Sequence, residues 1–417
     1  MHPIGRVCSK PLTLEHFLSI DPDTLAMPDS ISFKHVTAGL RVHYGGDSLS
    51  QLAPEMRRLG CTRAVVVCGA SVVRAGAVDL VRRAGLGDRL VGVFDGVRAH
   101  SPLAAVEAAA GAIRHAGADA VVALGGGSAI VTARAAAILL AEDGDIHQLC
   151  AQVRPGRPPM SPRLTRPKLP QFVVPTTPTT AYGKAGAAVL DPASGRRLTL
   201  FDPQTRAQAL FMHPDLAMGA PPELVRSAAL NTFVMAVQGL ESLTREPLAD
   251  AELMHALRLL LRRTGQLGTR DDSFAPRGEL MLAALMCGRG TDHTTGALAS
   301  VLGHAIGARL HLDNGLVNAV LLPHAMRFNA PATGRRLADL AELLRIDTSG
   351  DAVAPVVAAI EGFLKAMPIP QRLRDLGIDR DILPDVACDA EYDWFLHQNA
   401  QPIRGRDDLL GILLAAW

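Results

Sequence analysis

The chain has 417 residues, 48% of them hydrophobic, and a formal net charge of +1 at neutral pH; that length suits two domains or one large bilobed enzyme with a substantial core. The near-balanced charge excludes the basic footprint of a nucleic-acid binder. Six cysteines (Cys8, Cys61, Cys68, Cys150, Cys287 and Cys388) lie scattered without CxxC or Cys/His ligand spacing, which excludes a disulfide framework and a structural zinc site.

In chain order, residues 1–36 are polar and proline-containing, with one short apolar-periodic piece at 12–20, and read as an N-terminal extension. They hold no apolar stretch typical of a secretory signal, and no apolar run anywhere reaches the roughly 18 residues of a membrane helix. The expectation is therefore a soluble cytoplasmic protein. From about Thr37 strands alternate with helices. The β-branched run at 63–69 predicts a buried strand, 73–84 a helix, 90–94 a second strand, 102–116 an alanine-rich helix, 119–124 a third strand and 129–141 a further helix. Residues 152–170 are rich in Pro and Arg and read as a surface loop. A short strand follows at 172–175, and 187–190 with 197–201 form the two halves of a hairpin. After about Asp202 no strands are expected. Helices are predicted over 222–243, 250–265, 278–288, 293–309, 315–329, 333–345, 351–366 and 405–416. The change of texture divides the chain into an extension (1–36), an α/β dinucleotide-binding domain (37–205) and an all-helical domain (206–417).

The chemistry-bearing motif of the first half is Gly125-Gly126-Gly127-Ser128, between a strand and a helix. Glycines let a ligand approach the backbone, and the helix start offers free N–H groups and a positive dipole end to an anion such as a diphosphate. The same residues also suit a tight strand-to-helix turn, and the spacing is not GxGxxG. A second element, Thr176-Thr177-Pro178-Thr179-Thr180, places hydroxyls just after a strand end. They can bond a cofactor's ribose, phosphate or carboxamide, or cap the turn.

In order along the chain, the segments 125–134, Pro175-Thr176-Thr177, Asp202-Pro203, 221–224, Gly303-His304-Ala305-Ile306-Gly307-Ala308, 314–329 and the tail at 399–417 together resemble the iron-containing (group III) alcohol dehydrogenases, relatives of dehydroquinate synthase and glycerol dehydrogenase. The resemblance covers nearly all of 37–417. It implies an N-terminal α/β dinucleotide-binding domain, an all-α C-terminal domain and an active-site cleft between them. It assigns the diphosphate to Gly125, Gly126, Gly127 and Ser128, and the nicotinamide side to Thr176, Thr177 and Thr180. Arg197 stands where the family often has a Lys near the nicotinamide ribose. NAD-preferring members carry an Asp at the position of Gly69. Here Gly69 and Ser71 resemble the NADP-using members, which favours NADP(H) over NAD(H).

The same resemblance marks four metal-ligand positions, one Asp and three His in the family. Here they read Asn231, Met235, Ser300 and Asn314, and the family's Asp and Lys on the helix after the glycine turn are replaced by Val131 and Arg134. Two amides, a thioether and a hydroxyl are poor ligands for divalent iron or zinc, so no metal is expected. A replacement site would have to draw on His293, His304, His311 or His324. Without a Lewis acid, carbonyl reduction needs hydrogen-bond donors at the developing oxyanion. Maleylacetate reductases are metal-free relatives with Asn at the position of Asn231, but they keep a His where this chain has Met235. His304 matches a His kept beside the family's catalytic centre. It is either the proton donor, with Asn231, Ser300 and Asn314 polarising the carbonyl, or a helix-packing histidine. Tyr182 and Lys184 also fall near the nicotinamide, as an acid, an anion-binding group or surface residues.

The reading is a metal-independent NAD(P)(H)-dependent reductase or dehydrogenase acting on a small-molecule or peptide carbonyl or alcohol, in a specialised or natural-product pathway and assembled as a homodimer. The alternative is a catalytically inactive paralogue that supports another enzyme.

Overall fold

The computed structural model describes residues 32–154, 157–244, 246–347 and 352–417; the apolar piece predicted at 12–20 lies outside them. Residues 37–417 form one compact unit. The described residues 32–36 have no regular secondary structure.

The first half of the larger unit runs β1 (Arg41–Tyr44), α1 (Leu52–Arg58), β2 (Ala64–Val67), α2 (Ala70–Arg74), α3 (Ala77–Val81), β3 (Leu90–Phe94), α4 (Leu103–His115), β4 (Ala120–Gly125), α5 (Gly127–Ala141), α6 (Ile146–Leu149), β5 (Gln171–Pro175), β6 (Gly186–Asp191), β7 (Arg196–Phe201) and β8 (Ala207–Met212). Six strands make one sheet in the order β1-β8-β5-β4-β2-β3, every neighbouring pair parallel, while β6 and β7 form a separate antiparallel hairpin. A parallel sheet is covered on both faces, so its strands read as unbroken apolar runs. Val65, Val67, Val121, Ala123 and Val173 enter one core, and Ala64, Val66, Val122, Leu124 and Phe172 enter the other.

The rest is helical: α7 (Pro214–Met218), α8 (Pro222–Glu241), α9 (Pro247–Arg263), α10 (Phe274–Gly290), α11 (Leu298–Leu310), α12 (Asn314–Thr333), α13 (Ala338–Leu343), α14 (Val353–Lys365), α15 (Leu383–Ala390) and α16 (Arg406–Ala416). Leu230, Phe233, Leu253, Leu302, Leu321 and Leu413 share its single core. Among the described residues no helix is long and apolar enough to cross a membrane.

Three expectations need correction. Strands do not end at Asp202: β8 lies inside the sheet between β1 and β5, so a boundary after residue 205 cuts off a sheet strand. The run Ala-Gln-Ala-Leu-Phe-Met of β8 has no β-branched residue, which hid it. The helix predicted over 73–84 is split, with α2 and α3 separated at Ala75-Gly76. The helix predicted from 293 begins at Leu298, leaving 291–297 as a loop on the cleft side. The short α7 and α15 were not expected; each carries a proline in its first turn.

Candidate active site

The chain leaves β2 toward β3 on one side and returns through β4 to β5 on the other, so the strand order reverses between β2 and β4. Ligands of open α/β sheets bind beyond the strand carboxyl ends at such a switch. A cleft of 1080 Å³ opens there and continues against α8, α11 and α12. It is lined by Gly69, Ser71, Gly125, Gly126, Gly127, Ser128, Thr176, Thr177, Thr180 and Arg197, together with Asn231, Met235, Ser300, His304 and Asn314. His311 and Lys184 also line it, whereas His293, His324 and Tyr182 do not.

At the sheet end, no side chain caps the start of α5, so its first N–H groups face the cleft without an intrahelical partner. The turn is moulded to the threonine segment. A Cβ on Gly126 would sit 2.8 Å from Thr177 Oγ1, and one on Gly127 would sit 3.1 Å from Thr179 Oγ1. Thr176 N–H donates to the Gly125 carbonyl at 3.1 Å. The Tyr182 hydroxyl donates to the Thr177 carbonyl from a fully buried position, so Tyr182 braces the threonine segment and is neither a cleft acid nor a surface residue. Lys184 forms an ion pair with Asp292 at 3.6 Å. Thr180 donates its hydroxyl to Met235 Sδ at 3.4 Å, which ties the two ends of the cleft together.

At the helical end, Asn231, Met235, Ser300 and Asn314 line the cleft together, and Asn231 and Ser300 each hydrogen-bond a neighbour. Asn318 Nδ2 donates to Asn231 Oδ1 at 2.8 Å. The Gln238 amide is assigned with its oxygen toward the Leu298 and Ala299 N–H groups, 2.8 Å from each, because the opposite placement would set its NH2 against two donors. In this assignment its nitrogen donates to Ser300 Oγ at 3.0 Å, where the opposite one has Ser300 donating to Gln238. Asn314 and Asn318, one turn apart on α12, press their oxygens against Gly307 and Gly303, one turn apart on α11. A side chain at either glycine would overlap the facing amide. Asn314 Oδ1 is buried there without a partner. With its oxygen accepting from Asn318, Asn231 has Nδ2 unspent, and Ser300, accepting from Gln238 in that assignment, has its hydroxyl proton unspent.

His304 Nδ1 is 2.9 Å from Asp393 Oδ2, and Asp393 Oδ1 accepts the Phe395 N–H at 2.9 Å. The carboxylate therefore fixes the imidazole with Nδ1–H toward Asp393 and Nε2 free. Asp393, Gln238, Asn318 and His100 were not singled out from the sequence. Asn318 follows Asn314 by four residues and Gln238 follows Asn231 by seven, so helical spacing alone points to both. His100 and Asp393 sit on loops with no local signal.

Residues 40–214 match the family model for iron-containing alcohol dehydrogenase, and residues 227–417 match the model for the C-terminal part of that family. The chain belongs to the iron-containing alcohol dehydrogenase family. Lactaldehyde reductase of Escherichia coli K12 is 27% identical over 357 residues, covering 82% of this chain and 89% of that protein. Maleylacetate reductase 1 of Cupriavidus pinatubonensis is 26% identical over 351 residues, covering 83% and 87%. The solved structure of a 1,3-propanediol oxidoreductase superimposes with a TM-score of 0.80 at 25% identity, covering 90% of this chain and 98% of its own. The chain is thus an oxidoreductase of the alcohol dehydrogenase/reductase type, with the α/β-plus-helical architecture of that family. The glycine turn has the geometry of an anion cradle, and Asn231, Met235, Ser300 and Asn314 offer no carboxylate or imidazole.

Proposed function

We propose that this member of the family is a metal-independent carbonyl reductase/alcohol dehydrogenase that uses NADP(H) in preference to NAD(H). The observation that carries the reading is the orientation of the former ligand positions. Asn231 has its oxygen committed to Asn318 and Ser300 accepts from Gln238, so both offer hydrogens to the cleft. A divalent cation needs lone pairs of anionic oxygen or imidazole nitrogen. This donor set does not fit one, but it suits a carbonyl oxygen that gains negative charge.

The cradle at Gly125–Ser128 and the uncapped start of α5 fit a dinucleotide diphosphate. When bound, the reduced dinucleotide supplies a hydride. The chain's own residues then act on the substrate oxygen. Asn231 Nδ2 and Ser300 Oγ–H hold it and stabilise its developing charge. His304, as imidazolium, delivers the proton from Nε2, and Asp393 holds the ring and its positive charge in place. In the oxidative direction the neutral imidazole takes that proton back. Met235 adds no charge and packs against Thr180.

The NADP(H) preference rests on the turn after β2. Gly69, Ala70 and Ser71 carry no carboxylate to repel a 2′-phosphate. Arg98 lines the cleft, is exposed, and makes only a long 3.4 Å contact with the Val97 carbonyl. The test is NADPH and NADH titration followed by fluorescence and melting temperature, then NADPH consumption with a panel of aldehydes and ketones in the presence of a chelator. Saturable NADPH binding and chelator-insensitive turnover are expected. Turnover that requires added iron or zinc contradicts the reading.

A further inference from the structure

We propose that the substrate carries an anionic group, a carboxylate or comparable oxyanion, and that Arg197, positioned by His100, receives it; this rests on the cleft being a carbonyl-reducing site.

Two arginines of the first half are withdrawn from water without a carboxylate partner, and they differ in how their donors are used. Arg134 is fully buried and spends its guanidinium on the carbonyls of Gly186 at 2.7 Å, Ala181 at 2.9 Å and Thr205 at 3.4 Å, with Gln171 Oε1 at 3.5 Å. It is a closed structural cage. Arg197, on β7, lines the cleft. Its side-chain hydrogen bond is from Nη2 to His100 Nδ1, at 3.2 Å, and its Nε is buried without an acceptor. A guanidinium has five N–H donors, so most of this one is unspent. The carboxylates around it are engaged elsewhere: Asp393 with His304 and the Phe395 N–H, and Asp313 with Ser227 and the first N–H groups of α12. An unpaired cation in a sheltered site is costly unless a ligand completes it.

His100 positions the guanidinium. Its Nδ1 accepts from Arg197, so the ring proton lies on Nε2 and is engaged by the His311 backbone. Burial, then the charge of Arg197, then His311 hold its pKa below the ordinary value; the hydrogen bond to the His311 backbone and the charge of Asp313 work in the opposite sense. The His311 ring centroid lies 6.4 Å away. The loop that presents His100 is locked. His100 and Ser101 both have positive φ, 60° and 49°, a conformation that persists in non-glycine residues only where the surroundings enforce it. Ser101 is buried. Its hydroxyl donates to the Ser128 carbonyl at 3.1 Å and accepts from Thr132 Oγ1 at 3.0 Å, and its carbonyl accepts the Leu190 N–H at 3.2 Å.

The location identifies the ligand's role. His100 Cε1 lies 3.4 Å from where a Gly307 side chain would begin, and the Asn314 amide presses on the same glycine. The Arg197–His100 pair therefore stands beside the carbonyl-binding donors, while the start of α5 serves the diphosphate. Asp393 compensates the guanidinium only at a distance, without a hydrogen bond to it; neutral ribose hydroxyls would add no charge there, whereas an anion on the substrate would.

The test compares 4-oxobutanoate with its methyl ester as substrates of the full-length enzyme. The ratio of kcat/KM is expected to favour the acid by about 100-fold, the scale of a sheltered charge pair. Arg197→Met should bring that ratio near one, and Arg197→Lys should restore part of it. Independently of turnover, Trp394, which lines the cleft, should report saturable binding of butyrate but not butyramide, and Arg197→Met should abolish it. Equal kcat/KM for acid and ester, a ratio that survives Arg197→Met, or no butyrate binding overturns the proposal. Reduction of both compounds without preference leaves the reductase reading standing. Arg197-dependent butyrate binding with no reduction of either compound keeps the anion site and removes the reductase reading.

Discussion

The two ends of the cleft have diverged in opposite ways. At the sheet end, Gly125–Ser128 and Thr176–Thr180 keep a cradle in which a glycine Cβ would crowd a threonine hydroxyl. At the helical end, α11 and α12 meet at the glycines of α11, and the cleft is lined by amides and a hydroxyl with unspent donors. On the proposed reading, the fold keeps its backbone geometry and its hydride partner while hydrogen bonding stabilises the oxyanion. On that reading the supporting residues Asn318, Gln238 and Asp393 matter because each engages one end of an amide, hydroxyl or imidazole that lines the cleft.

The largest effects should come from the helical end. Asn231→Leu removes a donor to the substrate oxygen and is expected to lower kcat by about 100- to 1,000-fold, with NADPH affinity retained. His304→Gln should lower it by about 100-fold or more. Steady-state kinetics check both; an unchanged kcat in Asn231→Leu would break the comparison at its centre. Gly126→Val attacks the opposite end and should weaken NADPH binding by about 10- to 100-fold through overlap with Thr177, read by fluorescence titration. Asp393→Asn should cost about tenfold in kcat, with KM little changed, because it loosens the imidazole without removing it.

The smallest effect concerns stability. Glu241, at the carboxyl end of α8, is buried, and burial pushes its carboxyl up to about 8, with Asn329 pulling the other way. Its pKa in the folded protein lies above the ordinary value of 4.5, so the stability it contributes is fully present below that value and is lost as pH rises to about 8. The melting temperature should fall between about pH 5 and pH 8 and level off above, and Glu241→Gln should flatten the fall. A slope unchanged in the variant contradicts this assignment.

How much was legible follows from where the signals reside. The glycine turn, the threonine segment and the long helices are local patterns, and they stand where the sequence placed them. The strand β8 escaped because Ala207, Gln208 and Leu210 have little intrinsic strand preference; its place between β1 and β5 comes from tertiary burial. The four substituted ligand positions were readable residue by residue, but their orientation was not. It depends on Asn318 across a helix interface and Gln238 against the start of α11. Asp393 reaches His304 from 89 residues away, and His100 reaches Arg197 from 97 away, separations at which no periodicity carries information.

The most direct test titrates ferrous iron and zinc into the purified full-length protein, with and without NADPH, alongside Asn231→Leu and Asn314→Leu. The account predicts no saturable ion binding that depends on these two residues, and turnover indifferent to chelator. One ion bound per chain in the wild type, lost in both variants and matched by a loss of activity on chelation, would contradict it.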